Sequence, residues 1–209
     1  MTLSITRFSA GPIDTNAYLV VDDAANEAIV IDAPSESVEL VTAEATKRGV
    51  TVRSLIITHG HWDHIGDTAA MAAAFDVPVS AHRGAVERIA KPESRFPVTI
   101  SPATVDHELN EDDIVTVGGH SFTVMHLPGH DDGHIALYSA ADEVFLGGDV
   151  LFPGGHGRTD IPGSDQSTMN RTIRRLLDLA DEVIVYPGHG ETTTIGAERP
   201  WMTRLAANA

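Results

Sequence analysis

His59-Gly60-His61-Trp62-Asp63-His64 places four metal-type donors within six residues, directly after the apolar run Ser54-Leu55-Ile56-Ile57. If that run is a strand and the chain continues extended, residues 59, 61 and 63 point to one side and two imidazoles and a carboxylate converge. His64 follows where the chain turns towards the next helix. A tetrahedral ion takes four ligands and must accept some from elsewhere, so this density suggests two ions. A lone histidine in a loop would read as surface or core. Three other segments weigh against that here: Leu127-Pro128-Gly129-His130, Leu146-Gly147-Gly148-Asp149 and Tyr186-Pro187-Gly188-His189-Gly190. Each puts one donor just after a predicted strand, beside a glycine. Sites in layered α/β proteins form at strand ends, and a glycine lets backbone approach a ligand without a Cβ clash. The pattern predicts a metal centre.

The elements that must position these donors read as strands alternating with helices, in two rounds. Strands are expected at Asn16–Val21, Glu27–Asp32, Arg53–Thr58 and Val77–Ala81, with helices at Ser37–Arg48, ended by Gly49, and Asp67–Phe75. The second round has strands at Ile114–Val117, Ser121–Leu127, Ile135–Ser139, Glu143–Leu146 and Val183–Tyr186, and a helix at Ser167–Leu179. Pro92–Pro102 reads as an exposed linker between the halves, without dividing the chain into domains. The expectation is one α/β domain over residues 1–209, with helices outside sheets.

The chain has 209 residues, 42% of them hydrophobic, enough for one substantial core. Its formal charge is −16, from 30 acidic and 14 basic residues. Such a surface repels phosphate backbones and anionic lipids, so nucleic acid and membrane are not expected partners. No apolar run has the roughly 18–20 residues of a membrane span, and residues 1–10 do not read as a secretory signal. The absence of cysteine excludes disulfides, thiolate ligands and a cysteine nucleophile. A cytoplasmic enzyme is expected.

His-x-His-x-Asp-His followed by single His, Asp and His on later loops resembles the metallo-β-lactamase superfamily, from about residue 5 to about residue 200. The resemblance implies a four-layer αβ/βα sandwich with the metal site at the edge of its two sheets. It also implies that His59, His61 and His130 hold one metal, that Asp63, His64 and His189 hold a second, and that Asp149 bridges them. Gly148-Asp149-Val150-Leu151-Phe152-Pro153-Gly154-Gly155-His156-Gly157-Arg158-Thr159-Asp160 resembles the glyoxalase II branch, and so does His130-Asp131-Asp132-Gly133-His134. At Asp131-Asp132 the chain departs from that branch, and the two added negative charges disfavour an anionic substrate. Only Glu191–Ala209 follows the last ligand, too little for the helical region with which longer glyoxalase II enzymes grip glutathione. The chain is more similar to the short, single-domain glyoxalase II-like hydrolases.

What the resemblance implies is a dinuclear hydrolase of a small acyl thioester such as S-lactoylglutathione. Zinc is the expected metal, and iron and manganese suit the same His and carboxylate donors. One zinc alone lowers the pKa of water from about 15.7 to about 7, so a bridging hydroxide is the expected nucleophile. Asp63 and Asp149 would hold or relay its proton. Arg158 matches a basic position that contacts the glutathione carboxylate in related enzymes; otherwise it pairs with Asp160 or Asp165. His156 lies in the presumed substrate loop. His134 either orients a ligand or merely starts a strand, and Asp32 either hydrogen-bonds a ligand imidazole or forms a turn. His82, His107, His120 and His126 lack the strand-end context and read as surface or loop residues. A mononuclear iron persulfide dioxygenase, sharing the Gly-x-Gly-Arg-Thr-Asp segment, is the alternative, and a lactonase is third.

Overall fold

The computed structural model describes residues 2–95 and 98–207. Its elements are β1 (Leu3–Ala10), β2 (Thr15–Asp22), β3 (Glu27–Ile31), α1 (Val38–Arg48), β4 (Thr51–Ile57), α2 (Thr68–Phe75), β5 (Val79–Ala81), α3 (Arg83–Ala90) and β6 (His107–Glu108). The second half contributes β7 (Ile114–Val117), β8 (His120–His126), β9 (Ile135–Ser139), β10 (Val144–Gly148), α4 (Gln166–Leu176), β11 (Ile184–Pro187), β12 (Thr193–Thr194) and α5 (Ile195–Ala206). One sheet runs β1-β2-β3-β4-β5-β6 and the other β12-β11-β10-β9-β8-β7.

The central strands are buried on both faces, which is why they read as unbroken apolar runs. Alternation sorts their side chains into three cores. Tyr18, Val20, Ile29, Ile31 and Ile56 point from the first sheet towards Phe122, Val124, Ile135, Leu137 and Leu146 of the second. On the opposite face of the first sheet, Leu19, Val30, Leu55 and Ile57 pack with Val41 and Ala45 of α1, Met71 of α2 and Ala85 and Ile89 of α3. Ala136, Phe145 and Val185 pack with Met169 and Ile173 of α4 and Met202 of α5. The layers are therefore helix, sheet, sheet, helix, as the resemblance implied.

Several elements depart from the sequence expectation. The strands β1, β6 and β12 and the helices α3 and α5 are additional. For α3 the start signal is unusual: the N-cap is His82, whose side chain accepts from the Gly84 amide, rather than Ser, Thr, Asp or Asn. For α5 the internal Pro200 disguises the helix. The Pro92–Pro102 linker is not simply exposed, because Val98 and Ile100 are buried against the first core; its residues 96 and 97 lie outside the described set. His82 and His120 are buried rather than surface residues, His82 stacked on His126 with ring centroids 4.2 Å apart and His120 paired with Asp142 at 2.7 Å. No helix among the described residues is long and apolar enough to cross a membrane.

Candidate metal centre

The site lies where the carboxyl ends of two parallel strand pairs meet, β3 with β4 and β10 with β11. The chain leaves β4 into His59–His64, β8 towards His130, β10 into Asp149 and β11 towards His189. All seven predicted ligands converge there. Three donor groups each bring their atoms within 4.8 Å of one another: His59, His61 and His130; His59, His64 and Asp149; and Asp63, His64 and His189. The middle group links the other two. Asp149 Oδ1 lies 3.3 Å from His64 Nε2, while its Oδ2 lies 3.4 Å from His130 Nε2 and 3.6 Å from His189 Nε2.

The donor set fits cations. His59 Nε2, His64 Nε2 and Asp149 Oδ1 are buried with no hydrogen-bond partner, an arrangement that costs free energy unless something else satisfies them. Burial and the neighbouring His64 hold His59 far below the usual histidine range. Burial and His130 push His61 down to about 3. Both rings are therefore neutral at physiological pH, the state in which imidazole donates to a metal. Burial pushes Asp149 up, but its histidine partners, His64 first, outweigh this and bring it down to about 2. His64 is the exception. Burial opposes its protonation, yet the carboxylates of Asp63, Asp149 and Asp32 raise it above the ordinary value, so it competes for a proton where a cation would neutralise the same carboxylates.

The outward nitrogens of the candidate ligand rings are held by the protein. Asp32 receives His64 Nδ1 at 2.8 Å, the Thr58 amide at 2.7 Å and the Thr58 hydroxyl at 2.8 Å. The same hydroxyl lies 3.1 Å from His59 Nδ1, so one carboxylate supports two ligand rings. Asp32 does this at φ +58°, a left-handed conformation that costs a non-glycine residue about 1 kcal/mol or more. His134 Nε2 accepts the Asp149 amide at 3.0 Å, and His130 Nδ1 meets the Arg158 carbonyl at 2.8 Å.

A second network, absent from the sequence reading, comes from the start of β2. Thr15 Oγ1 donates to Asp63 Oδ2 at 2.9 Å. Asn16 Nδ2 donates to the Pro187 and Gly190 carbonyls, each at 2.9 Å, and Tyr18 Oη donates to Pro187 O at 2.6 Å. These groups clamp both sides of His189. A Thr-Asn pair before an apolar strand carries no chemical signature of its own, so only the tertiary fold reveals the role. Asn16→Ala should destabilise the metal-free protein by about 1–2 kcal/mol, because it removes two side-chain hydrogen bonds that tie β2 to the 187–190 loop, while Pro187 O keeps Tyr18 Oη and Gly190 O keeps Arg7 Nη1. Urea unfolding checks this, and a change below about 0.5 kcal/mol would contradict the clamp.

Over the donors opens a cleft of about 920 Å³. Ile13, Trp62, Ile65, Phe152, Ile161 and Pro162 give it apolar walls, and Arg88, Arg158 and His156 add polar groups. Arg158 is exposed and engages Asp160 through Nε and Nη2 at 2.8 and 3.0 Å. Asp165 is not its partner; it caps α4 by accepting the Thr168 amide at 2.6 Å. The charges of Asp131 and Asp132 are not left open beside the site, because Arg88 Nη2 lies 2.5 Å from Asp131 Oδ2 and 3.2 Å from Asp132 Oδ1. The expected penalty on anionic substrates is therefore reduced.

With this layering and this seam of ligands, the chain belongs to the metallo-beta-lactamase superfamily, matched over residues 10–189. Members bind divalent metals and are generally hydrolytic. It is 35% identical over 191 residues to the hydroxyacylglutathione hydrolase GloC of Haemophilus influenzae, covering 88% of this chain and 89% of that one. The crystal structure of the BLEG-1 B3 metallo-beta-lactamase superposes with a TM-score of 0.87 at 33% identity, over 96% of this chain and 100% of that one. ETHE1 from Myxococcus xanthus does so with a TM-score of 0.79 at 26% identity, over 99% and 85% respectively.

Proposed function

We propose that this protein is a dinuclear metal hydrolase acting on a thioester, S-lactoylglutathione or a related S-acyl thiol. The observation that carries the reading is the pair of donor groups joined through Asp149 beneath an open cleft. His59, His61 and His130 would hold one ion, and Asp63, His64 and His189 the other. Bound there, two divalent cations supply an acidified water and a Lewis acid for the carbonyl oxygen. The chain's own residues do the rest. Burial opposes ionisation of Asp63, but His64, His189 and Thr15 together lower its pKa below the usual carboxylate range, so the carboxylate stays ionised and available to a cation. Apolar groups from Ile13, Trp62 and Phe152 exclude bulk water and give an acyl group a surface to lie on. Arg158 faces the cleft and offers a two-pronged partner for a carboxylate, at the expense of its contact with Asp160.

The similarity to GloC supports the thioester, and zinc is the metal proposed, within a cytoplasmic enzyme. Metal analysis of protein isolated without added metal, paired with a panel of thioesters, lactones and a β-lactam, tests the reading. Two ions per chain and preference for thioesters are expected. One iron per chain with oxygen uptake on glutathione persulfide would overturn it in favour of the dioxygenase, which the Gly155–Asp160 segment also resembles. Arg158→Ala should raise KM for a glutathione thioester about tenfold with little change in kcat, while a neutral thioester is hydrolysed as before. Equal losses on both substrates would make Arg158 a brace for its loop.

A further inference from the structure

Arg88 and Asp131 lie outside the seven donors, yet they meet behind one of them. The Asp131 side chain is fully buried, its Oδ1 accepting the Gly133 amide at 2.8 Å. Its Oδ2 lies 2.5 Å from Arg88 Nη2 and 3.6 Å from His61 Nε2. His61 turns its other nitrogen inward, with Nδ1 only 2.8 Å from His130 Nε2, so Nε2 is the outward atom. For His59, His64 and His130 that outward position is taken by Thr58, Asp32 and the Arg158 carbonyl. Asp131 Oδ2 faces that position for His61 at 3.6 Å, beyond hydrogen-bond length.

Glycines bring α3 close enough for this. A Cβ on Gly84 would fall 2.6 Å from the Gly133 Cα, so the start of α3 presses backbone to backbone on the 130–134 loop. One turn later, a Cβ on Gly60 would come within 3.0 Å of Arg88 Nε. Arg88 is thereby wedged against both segments that carry ligands of the first group. A buried carboxylate is costly without a counter-charge, and Arg88 supplies it.

We infer that Arg88 and Asp131 are positioning residues, a charge pair that fixes the His61 ring as a donor to the ion of the His59, His61 and His130 group. The inference rests on the reading that this group holds an ion of its own. A carboxylate beside the outward N–H of a ligand imidazole holds its tautomer and raises its basicity, and loss of such a partner typically costs about ten- to hundredfold in metal affinity.

The test titrates the metal-free protein with Zn²⁺ against a chelating dye, following both binding events. Asp131→Asn and Arg88→Ala should each weaken one event about ten- to hundredfold and leave the other within about threefold. Because the two residues act as one unit, the double variant should be no weaker than the worse single variant. Arg88→Lys, which keeps the counter-charge, should recover most of the affinity. Equal weakening of both events together with a lower melting temperature of the metal-free protein would show a merely structural pair and overturn the inference, as would unchanged affinity in Asp131→Asn. A wild-type protein with a single binding event would sink the dinuclear reading itself. Two events in the wild type without selective loss in the variants would sink only the role of the pair.

Discussion

Asp149→Ala should bind fewer than two metal ions per chain and lose about a thousandfold or more in kcat, with its fold retained. Among the described residues, Asp149 is the one carboxylate whose oxygens reach both donor groups, at 3.3 Å from His64 and 3.4 Å from His130. Without it, two cations would face each other with no shared negative charge to hold them at reactive spacing. The loss would be chemical, because the hydrogen bond that fixes the loop runs from the Asp149 backbone amide to His134 and survives the substitution. Circular dichroism, metal content and steady-state kinetics on the best thioester together check this. Wild-type kcat in the variant would rule out a bridged pair of ions.

Gly188→Ala should be nearly as damaging, although it removes no ligand. A Cβ at this position would lie 2.1 Å from Asp149 Oδ1 and 2.7 Å from His64 Cε1. The backbone has nowhere to retreat: the Gly188 amide donates to Gly148 O and its carbonyl accepts the Asn16 amide, both at 2.7 Å. Either Asp149 or His64 must therefore leave its place. A displacement of about 1 Å in a catalytic group can cost about a hundredfold, and kcat/KM is expected to fall at least that far, with one ion lost on titration. Gly155→Ala is the control, since nothing lies within 4 Å of its added Cβ. If both variants retain two ions and full activity, the crowding at Gly188 does not govern the site.

The candidate ligands were legible in the sequence because their chemistry is rare and their setting repeats: a donor, a glycine and the end of an apolar run. The layering was legible for a related reason, since strands buried on both faces lose their polar positions. What escaped was whatever uses ordinary residues in tertiary roles. Thr15 and Asn16 look like any polar lead into a strand, and only the tertiary fold, through the Thr15–His189 bridge and the Asn16 amide on Gly188 O, brings them beside the site. Arg88 sits on a helix whose start is capped by histidine, and its partner Asp131 reads from sequence as an uncompensated charge. Arg158 shows the opposite case. Its side chain pairs with Asp160 as one of the two sequence readings held, while its backbone carbonyl serves His130, a role that residue type cannot encode.

The clamp of β2 on the 187–190 loop also bears on the order of folding. Its hydrogen bonds join residues separated by 169 to 174 positions, among the longest loop closures the chain can make. Such closures are entropically late events. During synthesis the β2 residues emerge long before their partners, so the Asp63, His64 and His189 group cannot exist until the second sheet has formed and docked. Early metal capture would be confined to His59, His61 and neighbouring donors of the first half, and binding of a second ion would mark the moment at which the chain closes on itself.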